Sequence, residues 1–236
     1  MTLRVVDIET TGFDPAKDHI IEIASVDLTR DGDITRPREA FCALPEGATI
    51  PPEVSAVHHI VADDLVDAKP PHHVLAHFEG ADVYIAHNSE FEQAFLPAEQ
   101  FPKFICTLKA ALRFWPDAPA HNLSALRYWR GHVRPFNKPR GEISPHRALS
   151  DVIVTAAIFH DLVRSGCSFK DMEAWTLDPA LHKWCRWGKY RGKTFREIAQ
   201  IDARYLEWVI EKSEMGPDAR FSAQHALDSH RQGVAA

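Results

Sequence analysis

The sequence predicts a layered domain of the α/β or α+β class over residues 1–165, followed by a connector (166–182) and a small C-terminal unit (183–236). Three observations carry this prediction. Three β-rich segments crowd the first 44 residues. Two further short apolar runs then alternate with helix-like patterns as far as residue 164. A distinct basic and aromatic stretch begins near residue 183. Strands first and alternation afterwards is the pattern of a sheet covered by helices. A chain of 236 residues, 45 % of them hydrophobic, can bury one sizeable core and a smaller one.

Residues 3–8 form a β-rich run with no turn residue, closed by Thr10-Thr11-Gly12, and read as a buried strand. Ile20–Leu28 reads as the second strand, and Arg30-Asp31-Gly32-Asp33 as the turn after it. Residues 40–44 are expected as the third, and strands this close in sequence suggest an antiparallel meander. Val83–Ala86 and Phe104–Cys106 are short apolar runs of strand type. Asn88 is expected to cap a helix with Phe91 and Phe95 on one face, and Asn122 a second helix that turns Leu123 and Leu126 inward. After a polar loop at 135–145 a long helix is expected over Ala148–Arg164, stopped by Gly166. In the C-terminal unit, Thr194-Phe195-Arg196-Glu197 matches a capping box, and Tyr205-Leu206 with Val209-Ile210 gives a second helix its apolar face.

The net charge of −6 does not itself suggest a polyanion partner, but its distribution is uneven. Residues 1–100 hold 19 acidic and 6 basic side chains, and residues 101–200 hold 8 acidic and 17 basic ones. An acidic half suited to metal ions then adjoins a basic half suited to phosphates. Cys42, Cys106, Cys167 and Cys185 form no close pair, so neither a zinc site nor a disulfide framework is suggested, and a reducing, cytoplasmic setting is expected. No targeting segment is visible, and the apolar run at 152–159 is too short to span a membrane.

Three blocks carry chemistry. Asp7 and Glu9, two apart on a strand, leave the same face, and two carboxylates there call for a hard divalent cation. The segment from His87-Asn88 to Glu92 places a carboxylate in the first turn of a helix. His146 precedes a helix headed by Asp151, and a histidine there can act as a general base near neutral pH.

In this order, D-x-E, H-N-x-x-F-acid and H-x-x-x-x-D resemble the DEDDh (DnaQ-like) superfamily of 3′→5′ exonucleases over about residues 3–165. Ile105-Cys106-Thr107-Leu108-Lys109, His146-Arg147-Ala148-Leu149 and the C-terminal Gly188-Lys189-Tyr190-Arg191-Gly192-Lys193 with Tyr205-Leu206-Glu207-Trp208 are most similar to its bacterial exonuclease X branch. The resemblance implies a ribonuclease H-like fold, a mixed five-stranded sheet flanked by helices. It also implies two Mg2+ or Mn2+ ions held by Asp7, Glu9, Glu92 and Asp151, with Asp7 bridging them and His146 as the base. Thr10, Thr11, Asn88 and His59 stand where the family touches substrate. One position departs from the pattern, since the family has aspartate where this chain has Glu92, an arm longer by about 1.5 Å.

The implied activity is 3′→5′ hydrolysis of DNA, in DNA repair. The same carboxylates suit an RNA exonuclease or a polymerase proofreading subunit, and Glu92 opens a further alternative, a binding protein with weak catalysis. DNA or RNA is the expected partner, with no membrane; nothing in the sequence points to a particular protein partner. For the C-terminal unit two readings stand. Lys189, Arg191 and Lys193 contact phosphates while Trp187 or Tyr190 stacks on a base, or the aromatics form a small core and the charges are solvated.

Overall fold

The computed structural model describes residues 1–233; the last three residues of the expected C-terminal unit, 234–236, lie outside the described residues. In chain order the elements are β1 (Leu3–Thr10), β2 (Ile20–Leu28), β3 (Ile34–Phe41), α1 (Pro52–His58), α2 (Pro71–Leu75), β4 (Val83–Ala86), α3 (Glu90–Phe95), β5 (Phe104–Cys106), α4 (Thr107–Phe114), α5 (Leu123–Trp129), α6 (Ala148–Arg164), α7 (Phe169–Leu177), α8 (Phe195–Ile201), α9 (Ala203–Glu211) and α10 (Pro217–Arg231).

The five strands form one sheet in the order β3-β2-β1-β4-β5. β1, β2 and β3 are the antiparallel meander, and β4 and β5 run parallel to β1. The sheet is therefore mixed, with β1 at its centre. Alternation along β1 divides the core in two. Val5 joins Val26, Ile85 and the apolar residues of α6 on one face. Val6 and Ile8 join Ile23, Tyr84 and Phe78 on the other.

The third strand is not at 40–44 but at Ile34–Phe41. Its residues Thr35-Arg36-Pro37-Arg38 are polar and largely exposed, because an edge strand needs no buried face. Pro37 lies where the β2–β3 register shifts between Ser25 and Asp27, a bulge where a missing N–H costs no ladder bond. The helix expected to start at Asn88 begins one residue later, with Ser89 as its N-cap. Asn88 instead adopts a left-handed backbone (φ 77°), which asparagine tolerates better than most residues.

α6 is buried over most of its circumference because it lies across β1 and β2 and is covered by α4 and α5. Gly166 ends it in a Schellman turn, with the Cys167 and Gly166 amides donating to the carbonyls of Leu162 and Val163. The expected connector carries a helix, α7. Ser168 caps it by accepting from the Asp171 amide, and Met172 and Thr176 bury against β5 and α4. Lys109, itself buried, donates to the Thr176 and Asp178 carbonyls and ties the end of α7 to the sheet domain.

The C-terminal helices α8, α9 and α10 enclose a separate core of Cys185, Phe195, Ile198, Leu206, Val209, Ala223 and Leu227. The Thr194–Glu197 capping box forms as expected; α10, opened by Gly216-Pro217, adds a third helix to the two expected in this unit. Trp187 packs edge-on against Phe195, Tyr190 packs against Tyr205, and Tyr190 and Lys189 both reach Asp202. Trp187 and Tyr190 thus serve the small core. Arg191, Lys193 and part of Trp208 face outward. Among the described residues no single helix is long and apolar enough to cross a membrane.

Candidate active site

Asp7 and Glu9 share the face of β1 that carries Val5, so both look toward α6. Asp151 lies in the first turn of α6. Oxygens of Asp7, Glu9 and Asp151 come within 4.8 Å of one another. Burial, reinforced by the charges of Asp151, Glu92, Glu9 and Glu22, holds the Asp7 carboxyl well above the usual carboxylate range. Burial, with Asp151 and Glu22, pushes Glu9 up to about 8. Burial also raises Asp151 to about 6, while the His146 amide and imidazole pull it down.

Glu92, only 2 % exposed, enters from the first turn of α3. It is felt electrostatically by Asp7, and burial with the charge of Glu9 pushes it up to about 8. Its oxygens are not part of the compact trio, and Oε2 is buried with no hydrogen-bond partner among the described residues. Three crowded carboxylates and a fourth with an orphaned buried oxygen are a donor set that fits hard divalent cations. The neighbouring Arg147 guanidinium, engaged by Glu22 at 2.6 Å, lowers Glu9 but leaves it raised.

His146 sits just before α6 with a left-handed backbone (φ 59°), exposed to solvent. Its amide donates to Asp151 Oδ2 at 3.1 Å, which brings it beside the carboxylates.

The substrate-binding expectations divide. Thr10 Oγ1 donates to the Gly12 carbonyl, and Thr11 Oγ1 donates to Asp18 and accepts from the His19 amide. Both hydroxyls shape the loop after β1. Asn88 is exposed beside α3. His59 is exposed at the left-handed end of α1, whereas its neighbour His58 is buried. His58 Nδ1 accepts from the Ile60 amide and its Nε2 has no partner. Burial lowers its pKa, and the charges of Glu22, Arg147 and His146 all reach it. Two residues near the site, Glu22 and Phe13, were not singled out from sequence, and in the segment Val57-His58-His59-Ile60, which stands where the family contacts substrate, His59 rather than the buried His58 was the candidate. The signal for Glu22 was a charge inside the apolar strand Ile20-Ile21-Glu22-Ile23. Phe13 is 88 % exposed and meets only the edge of Phe91, an aromatic lip next to the carboxylate strand.

The raised carboxyls make a stability prediction. A group whose folded pKa is raised contributes stability that is complete below its unfolded value and lost as pH rises through the folded one. In EDTA, Tm is therefore expected to fall between about pH 5 and about pH 9 as Asp151, Glu9 and Glu92 ionise against one another. Mg2+ or Mn2+ should restore Tm, increasingly so at higher pH, because cations compete with protons for these oxygens. Thermal melts across that range check this; a metal effect independent of pH would contradict the coupling.

Comparisons with known proteins give the family. The family described as Exonuclease matches residues 5–159, and one described as exodeoxyribonuclease X-like C-terminal matches residues 187–214. Exodeoxyribonuclease 10 of Escherichia coli is 34 % identical over 229 residues, spanning 96 % of this chain and 99 % of that protein. This chain belongs to the exonuclease family. The solved structure of exonuclease X in complex with 5′ overhanging duplex DNA shares 35 % identity at a TM-score of 0.63, covering 74 % of this chain and 99 % of that one. The nuclease domain of 3′hExo, a DEDDh family member bound to rAMP, is 17 % identical at a TM-score of 0.57 over 70 % of this chain and 93 % of that one, a likeness of fold. As a member of this family the exonuclease is a phosphodiester hydrolase, and its sheet is the ribonuclease H-like one the motifs implied.

Proposed function

We propose that this exonuclease removes nucleotides from the 3′ ends of DNA, using Mg2+ or Mn2+, in a cytoplasmic DNA-repair setting. The observation that supports it best is the convergence of Asp7, Glu9 and Asp151 within 4.8 Å, with His146 bonded to the same Asp151. The near-full-length similarity to an exodeoxyribonuclease favours DNA over RNA. Asp7, Glu9 and Asp151 would hold the cations, with Glu92 facing them from α3. When bound, the cations supply an acidified water and charge stabilisation at the leaving oxygen. His146 accepts the proton of the attacking water at its imidazole as the bond from phosphorus to the leaving 3′ oxygen breaks. Exposed Phe13 offers a face for the terminal base. We also propose that residues 1–165 form the catalytic domain and that 183–236 form an accessory unit, joined through the segment 166–182.

The test is a panel of end-labelled single-stranded DNA, duplex DNA and RNA, incubated with Mg2+, Mn2+ or EDTA. Stepwise shortening from the 3′ end of DNA, absent in EDTA, is expected. Equal or faster cleavage of RNA would overturn the DNA assignment. Glu92→Gln and Glu92→Asp belong in the same panel, because Glu92 lies outside the trio. Glu92→Gln is expected to lose at least about tenfold in rate, most visibly at low metal, and Glu92→Asp to equal or exceed the parent. If Glu92→Gln matches the parent at every Mg2+ and Mn2+ concentration, Glu92 takes no part in holding metal.

A further inference from the structure

Glu22 is the most enclosed charge near the site, 0 % exposed near the start of β2. It stands opposite Glu9 in the β1–β2 register, so the two carboxylates leave the same face of the sheet. A second buried carboxylate there worsens the repulsion, and its charge indeed raises Glu9, Asp7 and Asp151. Its oxygens nevertheless do not join the trio. They are taken up by the start of α6. Oε1 accepts from Arg147 Nη2 at 2.6 Å and Nε at 3.2 Å, and Oε2 accepts from the Ala148 amide at 2.9 Å. Arg147 is further held by Glu39 at 4.0 Å and lies over the Phe41 ring.

These bonds surround one residue. His146 keeps a left-handed backbone that a residue with a Cβ adopts only when its surroundings impose it. On its own side the amide is held by Asp151. On the other side, the next two residues are both held by Glu22 through a side-chain fork and a backbone amide. Ahead of His146 the loop is tied down by Ile143, buried in the main core, and by the Ser144 amide, which donates to Ser150 Oγ at 3.1 Å, while residues 144–146 themselves are exposed; on the C-terminal side of His146 the grip comes from Glu22.

We propose that Glu22 is a positioning residue, which through Arg147 and the Ala148 amide fixes the turn that presents His146 to the carboxylate site. It holds no cation and touches no substrate. The inference rests on His146 being the proton acceptor, as read above. The strand paired with the one that presents Glu9 thereby anchors the loop that presents the base, so both are referred to one pair of neighbouring strands.

The experiment is a double-mutant cycle on the full chain, with E22Q, H146A and the double variant. It measures kcat and KM on single-stranded DNA, Mn2+ affinity by electron paramagnetic resonance, and thermal melts. The glutamine keeps the shape and an acceptor for Ala148 and removes the charge that grips Arg147. E22Q is expected to lower kcat about ten- to a hundredfold, with KM and Mn2+ affinity changed far less. In the H146A background the same substitution should cost almost nothing, because the group it positions is gone. Undiminished kcat in E22Q would overturn the proposal. So would an equal further loss in the double variant, or a loss that saturating Mn2+ repairs, which would make Glu22 a holder of metal. Normal turnover by H146A would instead overturn the general-base reading itself, and that arm reports it separately. If E22Q does not fold, R147K tests the same point, since it keeps the charge on a partly exposed side chain but loses the forked grip. It should show the same pattern of kcat loss that vanishes without His146; additive losses would overturn the proposal.

Discussion

Replacing Asp7 with alanine is expected to lower turnover by about three orders of magnitude or more, the scale of losing several kcal/mol of cation-supplied charge stabilisation. Asp7 is the centre of the charge cluster: Asp151, Glu92, Glu9 and Glu22 all act on it. Truncation removes a carboxyl that burial and four like charges already disfavour in its ionised form. The protein in EDTA should therefore melt at the same or a higher temperature at neutral pH. What should disappear is the rise in Tm on adding Mg2+ or Mn2+, because that rise measures binding to the native state. Activity lost, metal-free fold retained and metal response abolished are three readouts from one variant. Near-parental turnover in Asp7→Ala, with metal still required, would remove this residue from the site.

His146→Ala is expected to lower kcat by ~10²–10⁴-fold, the range for loss of a general base. KM and Mn2+ affinity should change little, since the carboxylates are left in place. The pH–rate profile should also lose its acidic limb, the fall in rate that protonation of a base produces. Part of the structural effect is separable, because the His146 amide, not its ring, donates to Asp151. His146→Gln and His146→Ala keep that amide and should be similarly slow. A variant with near-normal turnover at neutral pH and an intact acidic limb would assign proton acceptance to another group.

Much of the catalytic layout was legible because it is local. Period-two alternation puts Asp7 and Glu9 on one face of a strand wherever that strand lies. Apolar runs bounded by turn residues located β2, β4, β5 and α6 at the observed limits. Features that depend on neighbours were not legible. β3 has no apolar signature because it pairs at the sheet edge, where exposure is tolerated. α7 looked like a connector because its buried face is only Met172 and Thr176. Trp187 and Tyr190 looked equally suited to stacking on bases or to packing, and the packing partners Phe195 and Tyr205 became evident only in the fold.

By itself the sequence determined the strand of paired carboxylates, the helix headed by Asp151, the capped turns and the family to which these motifs belong. The first three follow from spacing within about ten residues, where backbone geometry alone sets which side chains share a face, and the family follows from the order of the three blocks along residues 3–165. The tertiary structure decided that Asp7, Glu9 and Asp151 meet within 4.8 Å. It also decided that Glu92 is buried on α3 with an oxygen that finds no hydrogen-bond partner among the described residues, and that His58 rather than His59 turns inward. The grip of Glu22 on Arg147 and Ala148 spans 125 and 126 positions of chain. Contacts of that separation depend on which strands pair and which helix crosses them, and no local periodicity encodes that choice.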